Sequence, residues 1–338
     1  MPHRQRGPAV LATILAAFAV AVTAAAACAD QTSPVSGAGL VVVRSTAGNV
    51  TVAVGNPGEV RIVAPAHVGI THFAVSADAD GHIMLPQQGQ GQNLGPGQAS
   101  PNAGAAPGGN ASAAVGNGGG AAGMGRAGFG PRSFTIPGLQ DGSDGLNIVN
   151  RTGSDITIYV PPMLAGLIVS AGPGDVSASN LNGSYLIVTG RGGINLQNVA
   201  GRGLLRTWAG PITLNGVAGA LGVESARGAV TAREMSVSQA DVLTQSGDVD
   251  WEFSSLGRGG YRFNSRDGNI QVGLAPDAAA NIDAQSESGS VVNAFGRRHD
   301  GVRIFNRHAL SMALRGGGPE ITASSKFGRV TIRPHKPF

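Results

Sequence analysis

The amino-acid sequence predicts an all-β protein, a single-chain parallel β-solenoid in which each rung contains two short strands. Three observations predict this fold: a repeated Gly-x-Val/Ile unit, apolar residues at alternate positions around that unit, and a glycine count of 54 in 338 residues. This glycine content, with only 4% aromatic residues, excludes a conventional helical domain and indicates turns at short intervals. Charged residues make up 13% of the chain and the net charge is +4, which does not favour nucleic-acid binding.

The repeat is visible when the Val or Ile of each unit is taken as position zero. Successive units lie 18 to 21 residues apart, with zero positions at Val176, Ile194, Ile212, Val230, Val249, Ile270 and Val291. An early unit at Val50 and a late unit at Val330 follow the same pattern. A glycine stands two positions before each zero position: Gly48, Gly174, Gly192, Gly210, Gly228, Gly247, Gly268, Gly289 and Gly328. Units of this kind are stable only when they stack and bury a shared apolar face.

The alternation on both sides of each glycine predicts two strands that turn the same face inward. In the unit of Val249, we expect Val249 and Trp251 to point into the solenoid. Asp250 should point outward and tolerate substitution with little loss of stability. The glycine then occupies the corner between the strands, where we expect it to adopt the positive φ of a tight turn and to leave room for the corner stacked above it.

A hydroxyl side chain stands five positions before most zero positions: Ser45, Thr189, Thr207, Ser225, Thr244, Ser265, Ser286 and Ser325. Such a column could be a substrate-binding row. Its parity is that of the inward apolar residues, however, which favours hydrogen bonds to the backbone and across rungs.

Residues 1–28 are typical of a bacterial export signal of the lipoprotein type. Basic residues precede an apolar run from Val10 to Ala27, and the single cysteine, Cys28, follows directly. We predict that Cys28 carries a lipid that holds the mature chain at a membrane. Two alternatives are cleavage after Ala29, which removes the thiol, and retention of the apolar run as a membrane anchor.

The rest of the chain divides by composition. We predict a tether over 29–38, N-terminal β rungs over 39–85, and a disordered Gly/Gln/Asn-rich insertion over 86–132. The main β-solenoid domain follows over 133–338, with an irregular excursion at 294–318. From Arg297 onward, nine Lys and Arg stand against two acids, so this segment either binds an anionic surface or caps the end rung with charge.

No residue pattern predicts a catalytic, cofactor or metal site. Polysaccharide-cleaving enzymes need clustered carboxylates, but the acids in the outward column directly before position zero, Asp175 and Asp248, are scattered. Trp208 could stack on a sugar, although a lone Trp is more often covered by a neighbouring loop. Four residues of metal-binding type occur close together, in a pattern that favours a solvated turn: His72, Asp78, Asp80 and His82.

The segments "ITIYVPPMLAGLIVSAGPGDVSASNLNGSYLIVTGRGGINLQNV" and "GGGPEITASSKFGRVTI", with the repeated units between them, resemble the bacterial putative-adhesin β-strand-repeat family. This domain of unknown function is related to the head domain of autotransporter adhesins. The resemblance covers about 146–334. It implies a β-solenoid in an exported protein and no agreed activity.

The sequence as a whole favours a non-enzymatic, exported β-solenoid that acts as a binding or scaffold module at the surface or in the periplasm. Its expected partners are a membrane, through lipidated Cys28, and anionic envelope polymers or another envelope protein. A polysaccharide-active β-helix enzyme and a self-assembling envelope filament are the alternatives.

Overall fold

The structure is a computed structural model that describes residues 29–35, 39–77, 82–84, 111–113, 134–136, 139, 142–295 and 301–335. These residues form strands and turns without a helix, which confirms the predicted fold class. The strands are β1 (Ala29–Pro34), β2 (Leu40–Ser45), β3 (Val50–Val54), β4 (Glu59–Ala64), β5 (Gly69–Ala74), β6 (Ser76–Ala77), β7 (His82–Met84), β8 (Ala111–Ala113), β9 (Phe134–Ile136), β10 (Asp144–Asn150), β11 (Ile156–Val160), β12 (Leu164–Ala171), β13 (Val176–Ser179), β14 (Asn182–Thr189), β15 (Ile194–Gln197), β16 (Ala200–Thr207), β17 (Ile212–Asn215), β18 (Ala218–Ser225), β19 (Val230–Thr244), β20 (Val249–Phe253), β21 (Tyr261–Ser265), β22 (Ile270–Leu274), β23 (Ala280–Ser286), β24 (Val291–Asn293), β25 (Val302–Phe305), β26 (Ala309–Leu314), β27 (Glu320–Ser325) and β28 (Val330–Pro334).

The solenoid has two walls that meet at the corner glycines. Wall A contains the strands that follow a corner glycine, together with β1, β4 and β11. Its spatial order is β1, β4, β11, β3, β13, β15, β17, β19, β20, β22, β28 and β24. Wall B contains the strands that precede a corner glycine, together with β5, β10, β25 and β26. Its spatial order is β5, β10, β2, β12, β14, β16, β18, β19, β21, β27, β23, β26 and β25. The long strand β19 contributes its first half to wall A and its second half to wall B.

Through the middle of the stack, each rung pairs in parallel with the next unit along the chain. The zero positions are direct partners, Val176 with Ile194 and so on through Ile212, Val230, Val249 and Ile270. The repeat read from the sequence is therefore the strand register of wall A.

At both ends, the rungs do not follow the order of the chain. The rung of β2 and β3 lies between those of β10–β11 and β12–β13, and pairs in parallel with both. The rung of β27 and β28 lies in the same way between those of β21–β22 and β23–β24. The closing unit of Val330 is thus an internal rung. Of the basic segment from Arg297, only β25 and β26 lie at the end of the stack, so the expectation of a charged end cap is wrong for the closing unit.

Antiparallel strands cover the two ends of the stack. At the N-terminal end, β4 and β5 run antiparallel to β11 and β10, and β1 adds to β4. At the C-terminal end, β26 runs antiparallel to β23, and β25 adds to β26. The expected tether over 29–38 is therefore wrong for residues 29–34, which form β1, and the expected irregular excursion contains β25 and β26. These segments are ordered because edge strands leave backbone groups that another strand can pair.

One continuous apolar core fills the space between the walls. It includes an aromatic cluster of Trp251, Phe253, Tyr261 and Phe263. The rings of Trp251 and Phe263 meet edge to face at 5.4 Å, and those of Phe253 and Tyr261 at 4.8 Å. Val249 and Trp251 are buried, as their parity predicts. The bulky rings coincide with the longer rungs, which have room for them.

A second apolar layer lies on the outer face of wall B. Its side chains come from alternate positions of four neighbouring wall strands, from the residue between β5 and β6, and from the chain that returns after the insertion: Leu40, Val42, Val75, Ile136, Leu139, Ile168, Leu186 and Leu204. Strands β12 and β14 are consequently buried on both faces over part of their length. Strands β6 to β9 form a separate small sheet. The predicted signal peptide and most of the predicted disordered insertion lie outside the described residues; of the insertion, 111–113 form β8.

Candidate functional site

The eight corner glycines from Gly174 to Gly328 stack at one corner of the solenoid. Each lies against the carbonyl group of the corner glycine in an adjacent rung. A Cβ added to any of them would lie less than 3.0 Å from the carbonyl oxygen of the glycine in the neighbouring rung, a separation that real Cβ atoms essentially never show. Positive φ is not the reason for these glycines, because among the nine corner glycines only Gly48 adopts it. The close approach of successive corners is the reason.

The hydroxyl column is buried and bonded to this glycine corner. Thr189, Ser225 and Thr244 each donate to the carbonyl oxygen of the glycine three residues later, at 2.7 to 2.9 Å. Ser325 instead accepts the N–H of Gly328 at 2.9 Å and donates to the carbonyl of Gly268 in the neighbouring rung at 3.0 Å. These contacts satisfy backbone groups at a buried turn. The column is not arranged as a substrate-binding row.

A ladder of Asp and Asn side chains runs along the outward side of the same corner. The Oδ1 atom of Asp175 accepts the N–H of Gly193 at 2.6 Å, and that of Asp248 accepts the N–H of Asn269 at 2.7 Å. Asn269 in turn accepts the N–H of Arg329 at 2.9 Å. Both acids of the outward column therefore hold the backbone of the next rung.

A cluster of charged side chains spans four rungs on the outer face of wall A. Arg233 contacts Asp250 at 2.6 Å and Glu252 at 3.2 Å. Arg333 reaches the same two carboxylates, at 3.2 Å and 2.6 Å, and His335 Nδ1 lies 3.4 Å from Glu252. The Glu252 side chain is only 6% exposed. Asp250 points outward, as its parity predicts, and is paired with both arginines.

The position of this cluster depends on Gly273 of β22, the strand between β20 and β28. A Cβ at Gly273 would lie 3.1 Å from Glu252 Cγ and 3.6 Å from an Arg333 nitrogen, so its absence leaves room for the arginine to cross the strand. Burial raises the pKa of Asp250, but the hydrogen bond from Arg233 and the charges of Arg233 and Arg333 outweigh it. The pKa therefore lies below its ordinary value.

An open groove of about 670 Å³ lies beside this cluster, near the C-terminal end of wall A. It is lined chiefly by Asn269, Gln271, Ser290, Arg307, Arg329 and Thr331, with Phe327 at one side. The lining includes two arginines and no acid. Because its lining is basic and lies beside a rigid wall, we take this groove as the candidate binding surface.

The order of the rungs brings the corner residues of the groove together. Asn269, Arg329 and Ser290 occupy the same corner position in three adjacent rungs, because β28 lies between β22 and β24. The carbonyl of Arg307 accepts the N–H of Val291 at 2.8 Å, which places the segment before β26 along the groove.

No sequence pattern predicted this surface, although Arg329 belongs to the outward column directly before position zero. A signal was present in the column, which reads Asn269, Ser290 and Arg329 in three neighbouring units. It could not be used, because the unit of Val330 was not known to lie between those of Ile270 and Val291.

The other residues singled out from the sequence do not converge on one site. Trp208 is half-buried, with the Arg227 guanidinium 5.5 Å from its ring centre. His72 lies in β5, and its Nε2 is 2.8 Å from Ser33 Oγ. Asp78, Asp80 and Cys28 lie outside the described residues, as does the side chain of His82.

Neither a metal-binding cluster nor a membrane-spanning helix is present in the described part of the chain. No group of three His, Cys, Asp or Glu side chains there could hold a metal ion. Nor do those residues include a helix of the length and hydropathy needed to cross a membrane.

Comparison with known proteins returned one family and one solved structure. A family model described as Toastrack DUF4097 matches residues 129–308, more than half of the chain. No curated protein matches. A crystal structure of a putative cell adhesion protein from Clostridium sporogenes is similar at 7% identity, covering 91% of this chain and all of the other, with a TM-score of 0.21. A TM-score this low carries no argument about fold or function.

The matched residues begin ahead of β9 and end in the turn before β26, so they contain most of the parallel rungs and exclude β2, β3, β27 and β28. The family match confirms the resemblance to a β-strand-repeat domain of unknown function. The chain belongs to the Toastrack DUF4097 family.

Proposed function

We propose that this protein is a non-enzymatic binding module of the bacterial cell envelope, exported and held at a membrane through lipidated Cys28. The observation that carries the binding role is the acid-free groove with Arg307 and Arg329, set on a stack of rigid rungs. A solenoid presents an extended surface whose residues are fixed by backbone pairing, as a binding module requires. Its partner is an anionic envelope polymer or another envelope protein.

The carboxylates of wall A support a non-enzymatic role. A glycoside-cleaving site needs two carboxyl groups that are available to the substrate. Asp175 and Asp248 accept backbone N–H groups, and Asp250 and Glu252 are bound by arginines. Incubation of the purified protein with envelope polysaccharides should therefore release no new reducing ends. Steady release that is lost in an Asp248→Asn variant would contradict the proposal.

The binding role is tested by crosslinking the native protein in intact envelopes and identifying what is attached. We expect recovery of an envelope polymer or an envelope protein, in smaller amount when Arg307 and Arg329 are both replaced by Gln. Recovery of cytoplasmic proteins alone would contradict the location as well as the role.

Membrane attachment is tested at the cysteine. The variant Cys28→Ser should appear in the soluble fraction or remain unprocessed, because only the thiol can take the lipid. Several acyl chains are needed for lasting attachment, so the wild-type protein should stay with the membrane during washing. Ala29→Ser is the matched control and should behave like the wild type. A mature N-terminus at Asp30 without a lipid, found by mass spectrometry, would contradict the proposal.

A further inference from the structure

The groove on wall A differs in its electrostatics from the charged cluster beside it. Arg233 and Arg333 are bound to Asp250 and Glu252. Arg307 and Arg329 are exposed, and neither guanidinium has an ion pair with another described residue. The acids at the tip of the same corner, Asp267 and Glu287, are outside the lining. Two arginines that face a shared space without a counter-charge form a site for an anionic group.

The remaining lining suits a polyhydroxylated ligand. Gln271 and Thr331 are direct partners on β22 and β28 and point outward into the groove. No hydrogen bond joins either side chain to another described residue, so their amide and hydroxyl groups are available to ligand hydroxyls. Phe327 is 49% exposed, with the Lys326 ammonium 5.3 Å from its ring centre. The remaining aromatic surface is of the type that packs on the C–H face of a sugar ring.

Shape decides between a polymer chain and a lipid surface. The groove is concave and open to solvent, and its volume of about 670 Å³ has room for a short stretch of polymer. A membrane surface instead favours a projecting apolar and basic face. Phe327 is the single large apolar side chain in the lining.

We propose that this groove binds an acidic polysaccharide, with a carboxylate or phosphate group between Arg307 and Arg329, hydroxyl groups at Gln271 and Thr331, and one sugar ring against Phe327. The inference rests on the proposed function, because it identifies the polymer for which the binding module is specific. Binding should weaken as salt is added, since both arginines are exposed.

The experiment measures calorimetric binding of the full mature chain to polygalacturonate, phosphomannan and neutral dextran. We expect binding to one or both acidic polymers and none to dextran, and the two acidic polymers distinguish a carboxylate from a phosphate ligand. The double variant Arg307→Gln/Arg329→Gln should weaken binding by about tenfold or more, with an unchanged melting temperature. The matched control Arg202→Gln/Arg262→Gln removes the same charge from exposed positions on wall B and should change affinity by less than about twofold.

Three results would overturn the inference. These are equal weakening in both double variants, equal binding to dextran and the acidic polymers, and binding to phosphatidylglycerol vesicles but to neither acidic polymer. None of these three results bears on membrane attachment through Cys28 or on the recovery of an envelope protein by crosslinking. Failure of this inference can therefore be distinguished from failure of the proposed function.

Discussion

At the scale of single residues, the corner glycines determine how closely successive rungs approach. Gly247 has an ordinary backbone conformation, so its lack of a side chain matters only because the carbonyl of Gly228 occupies the space where a Cβ would stand. The neighbouring hydroxyl of Thr244 is bonded to the carbonyl of Gly247 at 2.9 Å. The two residues form one corner unit, in which glycine allows the approach and the hydroxyl satisfies the buried backbone.

The variant Gly247→Ala tests this explanation. The added methyl group must displace backbone, which cannot rotate away, so we expect a loss of about 3 kcal/mol in the free energy of unfolding, at the upper end for overpacking. Gly260→Ala is the control, because a Cβ at Gly260 meets nothing within 4 Å, and it should change stability by less than about 0.5 kcal/mol. Denaturant melts measure both. Equal effects would mean that the corners are looser than described.

At the scale of elements, the charged cluster ties β19, β20 and β28 together across the outer face of wall A. Its members lie between residues 233 and 335, so it links the rung that comes last in the sequence to rungs about 80 to 100 residues before it. Glu252 is the central member, since it contacts both arginines and His335.

Replacing Glu252 by Gln should therefore destabilise the protein by about 2 kcal/mol, in the range for hydrogen bonds to charged groups. Gln has nearly the same size as Glu, so the decrease in the free energy of unfolding measures the contribution of the charge and not that of packing. Asp267→Asn is the matched control, because Asp267 is exposed and lies 3.9 Å from an exposed Arg266. It should change the free energy of unfolding by less than about 0.5 kcal/mol. If the two variants are equally stable, the cluster contributes nothing.

The pH dependence of stability should include Asp250. Its pKa is lowered in the folded chain, so the unfolded chain binds a proton more readily. The stabilisation by Asp250 is fully present at neutral pH. It decreases as the pH falls below the unfolded pKa of about 4 and is gone below the pKa of the folded chain. Thermal melts of the wild type and Asp250→Asn should thus differ most near neutral pH and converge in acid. A difference that grows in acid would contradict this sign.

At the scale of the whole molecule, the order of the rungs is the main result. Along the chain, β21–β22 is followed by β23–β24, then by the antiparallel strands β25 and β26, and last by β27–β28. In space, β27–β28 lies between β21–β22 and β23–β24. The N-terminal rung of β2–β3 is enclosed in the same way. The charged cluster and the groove both depend on the position of β27–β28 between two earlier rungs. The cluster needs Arg333 of β28, and the groove needs Arg329 in the corner before β28.

Engineered disulfides test the order directly in the Cys28→Ser background. Thr331→Cys should crosslink with Gln271→Cys and also with Val292→Cys, because each pair is in direct register on adjacent strands about 4.8 Å apart. Gln271→Cys with Val292→Cys should not crosslink, because two rungs separate them by about 9.6 Å, beyond disulfide reach. Efficient formation of this last disulfide would mean that the units stack in chain order.

The sequence by itself determined the repeat length, the inward face and the corner. These features follow from local patterns: alternate residues on a strand face opposite sides, and a glycine recurs two positions before the first inward residue of each second strand. Residues such as Val249, Trp251 and Thr244 could therefore be placed without any knowledge of neighbouring rungs.

Only the tertiary structure decided which rungs are neighbours, and with them the groove and the partners of Asp250. The units of Val291 and Val330 have the same glycine, the same hydroxyl and the same alternation, so either could pair with the unit of Ile270. Parallel pairing satisfies the same backbone groups in both arrangements. The choice depends on contacts between residues about 80 positions apart, such as Arg333 with Glu252, which no local pattern contains.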